Sequence, residues 1–207
     1  FIWFKTSEKK INTYKIASNL LVKLKKKIMI NLPMVSLASQ LLEKREISKK
    51  ARILKFMYFT KGKQNYENIA VDLLPHAISF ILVINGNFLK NFKIESVKVD
   101  KLQWSCKIVI NNVICYFLFT QNKERKESSL SFKLNKDFYK RNQKLSNGEY
   151  INTINKNKRK IINVKNPMTE YLNLLLNNFK NPKNIEFNHR LVLDITTITD
   201  KLLSWKK

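Results

Sequence analysis

The chain has 207 residues, 44% of them hydrophobic, which is enough for a sizeable core and too much for a wholly disordered polymer. Forty Lys and Arg stand against 15 Asp and Glu, a formal net charge of +25, and a compact body so charged repels itself unless a polyanion neutralises it. The longest apolar stretch, around Ile78 to Ile84, falls well short of the ~20 residues that cross a bilayer, which argues against a spanning segment and against membrane contact.

Gly (3) and Pro (4) are scarce while Lys, Asn, Ile, Leu and Phe abound, the composition of an AT-rich gene such as organelles carry. The start, FIWFKTSEKK, has neither the apolar run of a signal peptide nor the Arg and Ser of a transit peptide. Together these point to a mitochondrial matrix protein encoded in the organelle.

In chain order, Ile16, Leu20, Leu24 and Ile28 recur every four residues and predict an amphipathic helix over Tyr14 to Ile30, with Lys23, Lys25, Lys26 and Lys27 turned largely elsewhere. Pro33 interrupts it, and Val35, Leu37, Leu41 and Leu42 predict a second helix. A third is expected to start at Ser48 and run through Ala51, Ile53, Leu54 and Met57, with Lys49, Lys50, Arg52 and Lys55 outward. Residues 1–64 thus read as a basic helical extension. Residues 60–65 read as a loop, and Tyr66 to Ile84 is open between helix and strand, with Pro75 arguing for a break.

Residues 65–207 read as an α+β RNA-binding domain. Trp104 to Phe119 predicts a hairpin about Asn111-Asn112, pairing Ile110 with Val113, Ile108 with Cys115, Cys106 with Phe117 and Trp104 with Phe119, all on one face. Residues 121–128 form a charged loop and Leu130 to Leu134 a short strand. The Asn- and Lys-rich stretch near 135–158 reads as a polar extended loop that buries little. Arg159 to Val164 reads as a strand, Asn166 and Pro167 as the cap and first turn of a helix bearing Tyr171, Leu172, Leu175, Leu176 and Phe179, then Phe187 to Ile195 as a strand and Thr197 to Trp205 as a closing helix.

Gly62, Gly86 and Gly148 are isolated, so no glycine-rich phosphate cradle is present. Cys106 and Cys115 read as core thiols and not as half of a zinc knuckle, and neither His76 nor His189 has an evident nucleophile. No metal, cofactor or small-molecule substrate is expected. The basic clusters Lys23, Lys25, Lys26, Lys27, Lys49, Lys50, Arg52, Lys140, Arg141, Lys156, Lys158, Arg159 and Lys160, together with His189 and Arg190, are the candidate RNA-binding residues, with Phe138 and Tyr139 placed to stack on bases.

NKRKIINVKNP (157–167), followed by a helix and then IEFNHRLVLDITTITDKLL (185–203), resembles the C-terminal half of the small-subunit ribosomal protein ten family over roughly a quarter of the chain. The basic helical start and the hairpin are similar to small-subunit ribosomal protein seven. The first resemblance implies a ferredoxin-like or antiparallel-sheet α+β core with Lys158, Arg159, Lys160, His189 and Arg190 neutralising ribosomal RNA phosphate. The expectation is a non-enzymatic structural constituent of an organellar ribosome, supporting translation, whose partners are ribosomal RNA and neighbouring ribosomal proteins. The competing expectation is an accessory subunit of an organellar membrane complex, its basic surface facing lipid or protein.

Overall fold

The computed structural model describes residues 32–48, 50–61, 66–86, 88–101, 103–122, 128–146, 149–178 and 182–205. Their elements run α1 (Pro33–Glu43), β1 (Ile53–Lys61), α2 (Tyr66–Ile84), β2 (Phe92–Val99), β3 (Gln103–Ile110), β4 (Val113–Asn122), β5 (Ser129–Leu134), β6 (Asp137–Ser146), β7 (Glu149–Lys156), β8 (Lys160–Val164), α3 (Pro167–Asn178) and α4 (Pro182–Leu203). The strands form one sheet in the order β2-β3-β4-β1-β5-β6-β7-β8, antiparallel throughout except where β1 lies parallel to β4. The α+β class expected from the sequence is what the chain adopts.

Asn111 and Asn112 take φ of 48° and 66°, the left-handed pair that a two-residue hairpin turn needs. The ladder of β3 and β4 follows in the expected register, Ile110 opposite Val113 through to Trp104 opposite Phe119. The odd positions of β4 and even positions of β3 are buried, as are Leu54 and Phe56 of β1 and Leu130, Phe132 and Leu134 of β5. This inner face is covered by α2, whose Phe80 ring lies 5.8 Å from Phe56 and 4.7 Å from Phe132. Helices α1 and α4 flank α2, and α3 packs on α1. The outer face of the sheet stays half-exposed to exposed.

Pro75 does not break α2. The helix is continuous through it, because burial of Ile69, Leu73, Ala77, Phe80, Ile81 and Ile84 between sheet and flanking helices outweighs the loss of one N–H donor. At α3 the expected cap forms: Asn166 Oδ1 accepts from Met168 N at 3.0 Å with Pro167 in the first turn.

Three sequence expectations are corrected. The helix from Ser48 is instead an irregular lead into β1, in which Leu54 and Phe56 point inward between exposed Ile53 and Lys55. The polar loop near 135–158 is in its described residues the ribbon β6–β7: the ladder satisfies its backbone while its described Asn and Lys side chains, Asn152 apart, stay half-exposed or exposed, so the ribbon needs few apolar residues. Residues 187–195 are not a strand but part of α4, where Leu191, Val192, Ile195, Ile198 and Leu202 are buried at helical spacing, so the C-terminal third runs strand, helix, helix. The helix expected over Tyr14 to Ile30 lies outside the described residues.

Candidate polar site at one end of the covered face

The alternation that fills the core does not stay apolar to the strand ends. Continuing inward parity along β1 brings Tyr58 and Thr60 to the covered face, along β4 Gln121, along β6 Arg141 and along β7 Asn152. Thr60 is directly opposite Gln121. His76 lies one helical turn before Phe80 on α2 and comes within electrostatic reach of Arg141, which also feels Tyr58. Six polar side chains from five elements therefore share one end of the sheet-helix layer. Tyr58, Thr60, His76 and Arg141 are half-buried; Gln121 and Asn152 are buried.

Arg141 donates from Nε (3.1 Å) and Nη2 (2.8 Å) to Asn152 Oδ1, and Asn152 Nδ2 in turn donates to Tyr150 O at 3.1 Å. Burial holds the guanidinium below its ordinary pKa, and among the described residues it has no carboxylate partner. His76 is pushed down to about 4, first by burial and then by the charge of Arg141, so its imidazole is neutral at neutral pH. Its Nδ1 is shielded from solvent without a hydrogen-bond partner, as are both amide atoms of Gln121 and Oγ1 of Thr60. A buried polar atom left unsatisfied costs about 1–3 kcal/mol, so a cluster of them marks a place where a ligand rich in donors and acceptors would be stabilised.

The described members of the expected RNA-binding set are not gathered in one place. Lys23, Lys25, Lys26, Lys27 and Lys49 lie outside the described residues. Lys50 and Arg52 are exposed just before β1, and Lys140 is exposed on the outer face of β6. Lys156 is committed to Asp137 (3.2 Å) and to Glu46 O (3.1 Å), and Lys160 to Glu46 Oε1 (2.6 Å). Lys158 and Arg159 are exposed at the β7–β8 turn. His189 and Arg190 are helical residues of α4, the latter 4.3 Å above the Phe88 ring. Of the described members of the set only Arg141 belongs to the polar cluster. Phe138 is half-buried, and Tyr139 is buried against Phe132, ring centroids 4.7 Å apart.

Cys106 and Cys115 are free and buried, burial pushing both thiols up, and among the described residues no three His, Cys, Asp or Glu gather to hold a metal. Gly86, with φ +91°, follows the C-terminal end of α2 and meets nothing within 4 Å of an added Cβ. It is no phosphate cradle between a strand and a helix N-terminus, and the sequence has no G-x-G-x-x-G. The described residues do not fit a nicotinamide dinucleotide.

An eight-stranded, nearly antiparallel sheet with helices packed on one face and a polar cluster at one end of that layer defines the architecture. No protein-family model and no curated protein matches the sequence. Solved structures share the fold: a dehydrogenase (MviM) from Clostridium difficile at TM-score 0.60 and 10% identity, over 96% of this chain and 76% of that one; UDP-N-acetylglucosamine 3-dehydrogenase GnnA from Acidithiobacillus ferrooxidans at 0.52 and 10%, over 94% and 68%; and KijD10, a 3-ketoreductase from Actinomadura kijaniata in complex with TDP-benzene and NADP, at 0.52 and 8%, over 81% and 59%.

These fold relatives are oxidoreductases and not ribosomal proteins, which overturns the ribosomal reading. With it fall the structural role in translation, the ribosomal RNA and ribosomal-protein partners, the absence of a small-molecule substrate, the non-enzymatic assignment and the membrane-complex alternative. The physical reason is local as well: residues 187–195, read as a strand within the segment that carries the resemblance, are helical, because their apolar residues are spaced for a helix face.

Proposed function

We propose that this chain forms the substrate-holding layer of an oxidoreductase acting on a nucleotide-linked sugar. The observation that carries the reading is the run of unsatisfied polar atoms on Thr60, His76 and Gln121 beside Arg141. Sugar hydroxyls both donate and accept, which suits the Gln121 amide and the neutral His76 imidazole, while Arg141 suits a phosphate. From β4 to β7 the cluster spans four inter-strand steps, roughly 19 Å at about 4.8 Å each, a length comparable with that of an extended ligand. Fold likeness to UDP-N-acetylglucosamine 3-dehydrogenase supports the substrate class. Fold likeness to a dehydrogenase at TM-score 0.60 supports an oxidoreductase. These residues bind and orient; no chemical step is assigned to them.

Calorimetric titration of UDP-N-acetylglucosamine into the full chain tests this. Saturable binding that weakens about tenfold or more in Arg141→Met and Gln121→Leu, each folded by thermal melt, is the expected result. No binding to wild type, or affinity unchanged in both variants, would sink the assignment.

A further inference from the structure

The outer face of the sheet carries a second arrangement, separate from the polar cluster. Register places Lys107 of β3 opposite Tyr116 of β4, Tyr116 opposite Lys55 of β1, Lys55 opposite Lys133 of β5, and Lys133 opposite Phe138 of β6. Three lysines and a tyrosine thus stand in one row across four neighbouring strands, each step about 4.8 Å. Lys55 Nζ and Lys107 Nζ lie 5.4 and 5.7 Å from the Tyr116 ring centroid, so the ring holds a cation to either side. Lys107 is answered by Glu95 at 2.7 Å, whose hydrogen bond and charge hold its pKa above the ordinary value.

Lys55 and Lys133 are not answered. They face each other directly, a like-charge cross-strand pair that destabilises an antiparallel ladder, and among the described residues neither has a carboxylate partner. One step along, Ser131 and Lys140 form the next registered pair on the same face, adding a hydroxyl donor and a further cation. Both Lys55 and Lys133 are exposed. A sheet that keeps two lysines opposed at its centre, with a third beside them, has a potential well for several closely spaced negative charges.

We propose that this row binds a phosphate chain, the linked phosphates of an inorganic oligophosphate or of a nucleoside polyphosphate, with Lys55 and Lys133 clamping adjacent phosphates and Lys140 and Ser131 completing the contact. Adjacent charges a few ångström apart on one linear ligand match lysines spaced by one strand step, and lysine serves phosphate as a point charge with freely turning donors. The Tyr116 ring, held between Lys55 and Lys107, fixes the direction in which the first of these ammonium groups is presented.

Calorimetric titration of inorganic tripolyphosphate into the full chain at low salt tests the site, comparing wild type with Lys55→Ala/Lys133→Ala and with Lys158→Ala/Arg159→Ala, which removes the same charge at the exposed β7–β8 turn. Affinity is expected to fall about tenfold or more in the first variant and less than threefold in the second. Without ligand the first variant is expected to melt higher than wild type, because the opposed charges are gone, and tripolyphosphate is expected to raise the melting point of wild type and of the second variant but not of the first. Equal losses in both variants would reduce the effect to net charge and overturn the proposal. Equal affinity for tripolyphosphate and ATP identifies an inorganic chain, and tighter ATP binding identifies a nucleotide; either upholds the site. A mixed-sequence single-stranded oligonucleotide that outcompetes tripolyphosphate per phosphate at the same lysines would make it a nucleic-acid surface and overturn it.

Discussion

Arg141 and Asn152 are joined two residues off register, since Arg141 pairs with Ile154 in the ladder yet turns both Nε and Nη2 onto Asn152 Oδ1. The diagonal bond holds the guanidinium in place, and its charge helps to lower His76. Asn152→Ala removes the acceptor and leaves a half-buried cation short of partners, so stability to urea is expected to fall by about 1–3 kcal/mol. An unchanged midpoint would mean that solvent already satisfies the guanidinium.

Gln121 is expected to behave in the opposite way. Its side chain occupies a core-facing position with neither amide atom bonded, so its burial costs energy that a ligand would return. Gln121→Leu is expected to raise the unfolding free energy of the ligand-free chain by about 1 kcal/mol while abolishing or weakening substrate binding. Denaturation curves in the presence and absence of UDP-N-acetylglucosamine separate the two effects. A less stable variant would mean that Gln121 is a structural residue and not a binding one.

His76 gives the site a pH signature whose sign is fixed. Its folded value, about 4, lies below the ordinary 6.5, so the unfolded chain takes up the proton first and the folded state loses stability as pH falls through 6.5 toward 4. Between pH 7 and pH 5 the loss from this group is on the order of 2 kcal/mol. His76→Gln cannot titrate, so the stability difference between wild type and variant is expected to shift by that amount over the same window. A difference that does not vary with pH would show that the imidazole is not shielded. Arg141→Met should move the His76 titration upward, followed by its ring proton resonances.

The β3–β4 hairpin was legible because one face alternates without error and Asn-Asn supplies the turn, and the Asn166-Pro167 cap because its chemistry is local. Strand β1 was not: Lys49, Lys50, Arg52 and Lys55 among Ile53, Leu54 and Met57 mimic a basic amphipathic helix, and its other inward positions, Tyr58 and Thr60, are amphipathic or polar. Helix α4 misled through its β-branched Val192, Ile195 and Thr196, whose strand preference tertiary packing overrides. The candidate site was hidden because its residues are spread from Tyr58 to Asn152 and each is ordinary where it stands. One clue was present: parity through Val113, Cys115, Phe117 and Phe119 puts Gln121 next in a core-facing series, an amide where an apolar residue belongs. Arg141 was picked out for its charge alone, and only the pairing of β6 with β7 turns it inward.

The hairpin turn offers a last test, because its two asparagines do different work at similar dihedral angles. Both hold positive φ, a conformation that favours Asn or Gly. Asn111 does more: its Oδ1 accepts from Lys90 N at 2.7 Å and from Asn91 N at 3.3 Å, and its Nδ2 donates to Phe88 O at 2.6 Å, tying the segment after α2 to the hairpin. No such side-chain bonds tie Asn112 among the described residues. Asn112→Gly keeps the backbone and is expected to change stability by less than about 0.5 kcal/mol. Asn111→Gly keeps the same backbone freedom but removes three hydrogen bonds, and a loss of about 2 kcal/mol is expected. Chemical denaturation of the two variants side by side decides the point: equal effects would mean that the dihedral angles alone matter, whereas a larger loss at Asn111 assigns its side chain the work of holding the 88–91 segment against the sheet.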